Sequence, residues 1–165
     1  ENDTLANSTA EIIKEMRCAF ACGSAMVELY LDHLLMTEKD NGILWRELAD
    51  CIRWHRANAD LLADTHWVGG NPWDGEKANL YGWAAWNGGK AMVALRNPSD
   101  SAQHITTTLR NILEIPNYIS GKIFLTDAFS NQIFLSDITN QLIDIDAKIT
   151  FVIPPFEVVV LDGVF

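Results

Sequence analysis

The sequence predicts an α+β chain: a helical first third followed by an antiparallel β-sandwich. Three observations carry this. Apolar residues recur at helical spacing up to about residue 63 and alternate with a period of two from about Asn79 onward. The two regimes meet at a Gly- and Pro-punctuated joint, "HWVGGNPWDGEKANLYGWAAWNGG", which holds four of the six tryptophans. Beyond the joint, short apolar runs are separated by Asn-Gly, Asn-Pro and Pro-Pro turn chemistry. At 165 residues with 48% hydrophobic and 21% charged residues, the chain has ample material for a core.

The first helix is expected in "STAEIIKEMRCAF". Ser8 and Glu11 stand at capping-box spacing, Ile12, Met16, Ala19 and Phe20 form one face, and Gly23 supplies a left-handed stop. In "AMVELYLDHLLM", Val27, Leu29 and Leu31 alternate with Glu28, Tyr30 and Asp32, which fits a strand slightly better than a helix. A long helix from about Ile43 to Ala63 carries the stripe Leu44, Leu48, Cys51, Ile52, Ala59 and Leu62, opposed by Glu47, Asp50, Arg53 and Asp60.

After the joint, "LYGWAAW" and "KAMVALR" flank Asn87-Gly88-Gly89, a hairpin signal because the tight turn needs positive φ angles. Asn97-Pro98-Ser99-Asp100 marks the next turn. "QHITTTL", with Ile105, Thr107 and Leu109 on one face, then "KIFLTDAF", "KITFVI" and "EVVVLDG" complete the strands. The stretch "SDITNQLIDIDAK" reads as a polar surface loop. Asp137, Asp144 and Asp146 within it lack the Gly and terminal Glu of a calcium loop.

Twelve basic against 22 acidic residues leave a net charge of −10 with no basic stripe, which argues against nucleic acid as a partner. No apolar run reaches the roughly 18 residues of a membrane span. Cys18, Cys22 and Cys51 cannot all pair in one chain. Cys18 and Cys22 have the i, i+4 spacing of two metal ligands, but no second Cys/His pair accompanies them, so reduced, buried thiols are expected and no metal or cofactor. His55 falls near the apolar stripe as a structural imidazole. The start "ENDTLANS" has no initiator Met, which suggests a processed or excised chain.

The order of helix, Gly turn, "VELYL", long helix with "WHRAN", "WVGGNP", Trp-rich hairpin, "LRNPSD" and "IPPFEVVVLDG" resembles the C-terminal part of bacterial α-galactosidase-like glycoside hydrolases. In those enzymes a (β/α)8 barrel precedes an antiparallel β-sandwich. The resemblance implies that residues 1–66 are the last βα elements of a truncated barrel: helix seven at 8–22, strand eight at 25–31 and helix eight at 42–64. Residues 67–78 would be the linker and 79–165 the sandwich. The tryptophans of the joint would seal the contact between barrel and sandwich. A lone eighth strand leaves unpaired backbone and an uncovered apolar face, so the rest of the barrel, or a second copy, is expected to cover this segment.

Glycoside hydrolysis usually needs two carboxyl groups about 5–5.5 Å apart for retention or about 6.5–9.5 Å for inversion. The resemblance puts that pair on earlier barrel strands, so no catalytic residue is assigned in this chain. Asp32, at the end of the expected strand, with Tyr30 and His33 beside it, is a candidate lining of the sugar pocket. Trp73 is a candidate stacking platform, since a sugar's C–H face packs on an aromatic ring. Trp83 and Trp86 lie three apart, so a regular strand points them to opposite sides.

The expected function is that of a non-catalytic part of a glycoside hydrolase, inactive alone, meeting carbohydrate through the parent enzyme and exported to the periplasm or beyond. Two other classes fit the residues: a free-standing carbohydrate-binding module with exposed aromatics on one sheet face, and a protein-interaction module with an exposed apolar stripe along residues 12–20 or 44–62.

Overall fold

A computed structural model describes residues 3–24, 26–28, 42–71, 78–129 and 137–165. The chain is α+β and layered. Helices α1 (Asp3–Ala21), α2 (Ile43–Ala57) and α3 (Ala59–Leu62) form one layer. A six-stranded antiparallel sheet lies against them: β1 (His66–Gly69), β2 (Tyr81–Trp86), β3 (Lys90–Arg96), β8 (Val158–Val164), β5 (Lys122–Asp127) and β6 (Gln141–Asp144), in that spatial order. Strands β4 (Gln103–Thr108) and β7 (Lys148–Ile153) pair with each other as the second sheet, and a helical turn, α4 (Leu109–Ile112), follows β4.

Both faces of the central strands are buried, and the alternation of side chains shows why. Ala91, Val93 and Leu95 of β3 and Val159 and Leu161 of β8 point toward the second sheet, where they pack with Ile123, Leu125, Phe151 and Ile153. Their alternates, Met92, Ala94, Val158 and Val160, face the helices and meet Met16, Phe20, Leu44, Cys51 and Trp54. Each large apolar side chain removed from water in this way contributes about 2 kcal/mol. Polar clasps fix the helix layer: Trp54 Nε1–H donates to Asp162 Oδ1 at 2.8 Å, Lys14 Nζ lies 2.9 Å from Glu157, and Arg96 pairs with Glu15.

The hairpin at Asn87-Gly88-Gly89 forms as the sequence predicts. Asn87 Oδ1 accepts from the N–H groups of Gly89 and Lys90 at 3.3 and 2.9 Å, and Gly88 has φ 93°. Gly23 stops α1 with φ 78°; a Cβ there would lie 2.7 Å from the Leu62 carbonyl oxygen.

Several expectations change. α1 starts at Asp3, so Ser8 and Glu11 lie inside the helix, and Glu11 pairs with Lys14 at 3.0 Å instead of capping. The long helix ends at Ala57. Asn58 (φ −118°, ψ 14°) turns its Nδ2 onto the Trp54 carbonyl at 3.1 Å, and this local bond breaks the helix before α3. Ala59 is consequently exposed, and Trp54 fills the stripe in its place. Within the stretch read as a polar loop, Gln141–Asp144 is strand β6, whose Ile143 is buried with the following Ile145. Residues 67–69 of the joint belong to edge strand β1, paired with β2. Leu109 has left the strand and opens α4, capped by the Thr108 hydroxyl. Met26–Glu28 have no regular structure, and residues 25 and 29–31 of the expected eighth strand lie outside the described residues.

Candidate functional site

Tyr30, Asp32, His33 and Trp73 lie outside the described residues. Aromatic and polar side chains meet elsewhere, around the joint. Register sets Trp67 of β1 opposite Trp83 of β2, and Gly69 opposite Tyr81. Trp67 and Tyr81 stack at 5.1 Å with an interplanar angle of 4°, and both stand edge-on to Trp83 at 5.7 and 5.8 Å. Trp67 donates Nε1–H to the Gly70 carbonyl at 3.0 Å and keeps 38% of its surface exposed. This aromatic ladder lies on the helix-facing side of the sheet. Arg96, opposite Tyr81 on β3, pairs there with Glu15 of α1 and lies 3.6 Å from Cys18 Sγ. Burial pushes the Tyr81 hydroxyl above its ordinary pKa, with Arg96 acting in the opposite sense.

Trp86 points to the other face, as spacing predicts, with its ring 6.2 Å from that of Phe165. It lines a cup of about 270 Å³ with Asp64, His66, Leu113, Glu114 and Pro116. Four elements converge here: the end of the helix layer, β1, β2 and the loop after α4. His66 Nε2 lies 2.9 Å from the Ile112 carbonyl, so Nε2–H donates to it. Glu114 has φ 54°, an unusual conformation for a residue with a side chain. The indole Nε1–H of Trp86 is buried without a hydrogen-bond partner. No periodicity or short motif marks this cup, because its residues come from positions about 50 apart. A second hollow of about 300 Å³ is lined by Glu47, Asp50, Arg53, Ala128 and Phe129, and the pairing of Arg53 with Asp50 leaves it little free charge.

The other candidates settle into structural roles. His55 Nε2 lies 3.1 Å from the Ser24 carbonyl and its ring stands edge-on to Phe20. Cys18, Cys22 and Cys51 are free thiols. Burial pushes Cys18 up and Cys51 up to about 12, which keeps both protonated. Asp146 makes a two-point pair with Arg110, whose guanidinium also donates to the Pro116 and Ile119 carbonyls at 2.7 and 2.8 Å. Among the described residues, no three His, Cys, Asp or Glu side chains gather as metal ligands, and no helix is long and apolar enough to cross a membrane.

These features define an antiparallel β-sandwich backed by a helix layer, with aromatic side chains concentrated where the two meet. Solved structures that share this fold are glycoside hydrolases, in keeping with the resemblance carried by the sequence. A Bacillus halodurans protein described as an α-N-acetylgalactosaminidase matches with TM-score 0.55 and 14% identity, over 93% of this chain and 31% of that one. α-Galactosidase I of Mortierella vinacea matches with TM-score 0.50 and 19% identity, over 92% and 35%. Trehalose-6-phosphate hydrolase of Bacillus licheniformis matches with TM-score 0.50 and 10% identity, over 82% and 20%. The chain thus spans about a third of the length of the first two, and at these identities the likeness is one of fold. No protein-family model matches the sequence, and neither does any curated protein.

Proposed function

We propose that this chain is the C-terminal sandwich and last barrel helices of a glycoside hydrolase of α-galactosidase type, and that its task is to complete and support a barrel that holds the catalytic carboxylates. One observation carries the reading: the likeness to the B. halodurans and M. vinacea structures extends through the helix layer, covering 93% and 92% of this chain. A sandwich module alone would not need α1 and α2 packed on its outer face. The helix layer and the half-open aromatic ladder offer the surface on which the missing barrel elements rest. Tyr30, Asp32, His33 and Trp73 keep their proposed place at the sugar pocket of the complete protein.

The test is to assay this chain, alone and joined to the polypeptide that precedes it, on aryl α-galactosides and α-N-acetylgalactosaminides. The chain alone should show no turnover and the joined protein should show it. Turnover by the isolated chain would overturn the reading.

The exposure of Trp67 favours a second reading, a free-standing carbohydrate-binding module. Acrylamide quenching separates the two: in the complete enzyme Trp67 should be shielded by the barrel, whereas in a module it stays open and a bound glycan protects it. We also propose export to the periplasm or beyond, tested by fractionating cells that carry the intact gene. Retention of the product in the cytoplasm would count against export.

A further inference from the structure

We propose that Asn87 is a self-modification site, at which the Gly88 amide nitrogen displaces ammonia from the side chain and water then leaves aspartate or isoaspartate. The β2–β3 turn supplies what each step needs. Asn87, Gly88 and Gly89 are exposed, and a Cβ built on either glycine would meet nothing within 4 Å, so no neighbour obstructs ring closure or the entry of water. Asn87 Oδ1 is curled forward over the loop, where it accepts from the N–H groups of Gly89 and Lys90 at 3.3 and 2.9 Å. Those bonds set the carboxamide beside the intervening Gly88 nitrogen, polarise its carbonyl, and aim two donors at the oxygen that turns anionic when Cγ is attacked. Among the described residues the Gly88 N–H donates to no group, so it stays open to deprotonation by hydroxide.

The Gly88 nitrogen, its proton lost, forms a bond to Asn87 Cγ and closes a five-membered imide. The Cγ–Nδ2 bond breaks, and Nδ2 departs as ammonia with a proton equivalent to the one Gly88 gave up. Water then opens the imide at Cγ to give aspartate, or at the Asn87 main-chain carbonyl to give isoaspartate, which reroutes the chain through Cβ and Cγ. Either product sets a carboxylate against Asp60, whose Oδ2 lies 3.5 Å from the Asn87 amide nitrogen. Other exposed asparagines lack this setting. Asn111 precedes Ile112 and Asn117 precedes Tyr118, whose side chains crowd the attacking nitrogen as glycine does not.

The full polypeptide is incubated at about pH 7, 8 and 9, then digested and read by mass spectrometry, with isoaspartate counted by an isoaspartyl methyltransferase. The Asn87 peptide should gain about 1 Da and accept methyl groups. It should do so at least about tenfold faster than the Asn111 and Asn117 peptides gain mass. The rate should climb about tenfold per pH unit, since hydroxide sets the amount of nitrogen anion. A synthetic peptide of residues 84–92 separates the folded turn from its bare sequence, and the folded chain should react at least as fast. Asn87→Gln, in which ring closure needs one more atom, should abolish methyl acceptance at this turn, with near-UV circular dichroism reporting an intact fold. An Asn87 no faster than Asn111 and Asn117, a folded chain slower than the free peptide, a rate indifferent to pH, or methylation undiminished in Asn87→Gln would each overturn the proposal.

Discussion

Asn97 shows how much one buried amide can hold. It is 1% exposed, and its Nδ2 donates to the carbonyls of Ser101, Ile153 and Pro154 at 2.8, 3.0 and 2.9 Å, while Oδ1 accepts from Ser99 N–H at 2.9 Å. The side chain ties the turn after β3 to the end of β7. Asn97→Ala leaves those groups unsatisfied and should cost about 3 kcal/mol in urea unfolding. Asn97→Asp should cost more, since a carboxylate would then face three carbonyl oxygens. Asp162 behaves in the opposite way. Burial against the helix layer raises its pKa, while the Trp54 hydrogen bond and Lys90 oppose the rise. A folded state that binds this proton more tightly than the unfolded chain loses stability as pH climbs from the ordinary value, about 4, through the raised one. Asp162→Asn keeps an acceptor for the Trp54 indole and removes the charge. Its stability advantage over the natural chain should therefore widen with pH over that interval, as read from urea midpoints. An advantage that stays constant would contradict the assignment.

Elements are joined here by a few polar clasps laid over apolar contact. Arg17 of α1 reaches both carboxylate oxygens of Glu47 on α2, at 3.1 and 3.0 Å, with the side chains only 10% and 12% exposed, and its guanidinium lies 5.2 Å from the Phe129 ring centre. Removing one partner of such a pair strands the other charge away from water. Glu47→Ala should cost about 3 kcal/mol, whereas replacing both residues with apolar ones should cost less. A thermal melt of the single and double variants checks the order. The sheet's elements depend on backbone approach as well: a Cβ on Gly82 would lie 1.8 Å from the Ala94 carbonyl oxygen on β3. The β2–β3 pairing thus requires glycine at a position where the alternating pattern alone would accept any small residue.

For the whole molecule, the helix layer is the cover of the sheet's second face. Met92, Ala94, Val158 and Val160 are at most 5% exposed because α1, α2 and α3 lie over them. A chain cut back to residues 65–165 would present that face to water. It should bind a hydrophobic dye and self-associate in light scattering, unlike the complete chain. A cleanly monomeric, dye-silent truncated chain would show that the sandwich is independent of its helix layer. The same packing separates the functional readings, since the apolar stripes of α1 and α2 expected in an interaction module are spent on this sheet.

Local chemistry was enough to reveal the two helices, the Asn87 hairpin, the strands of the sandwich and the opposite facing of Trp83 and Trp86, because each rests on periodicity or turn geometry within a dozen residues. Strand β6 escaped because two alternating isoleucines among polar residues make too short a pattern. The helix start escaped because Ser8 and Glu11 match capping-box spacing although α1 already runs from Asp3. The Trp67–Tyr81–Trp83 ladder, the Asn97 knot and the cup of Asp64, His66, Trp86 and Glu114 were decided only by tertiary structure. Their members are distant along the chain, and strand register and layer packing alone bring them together.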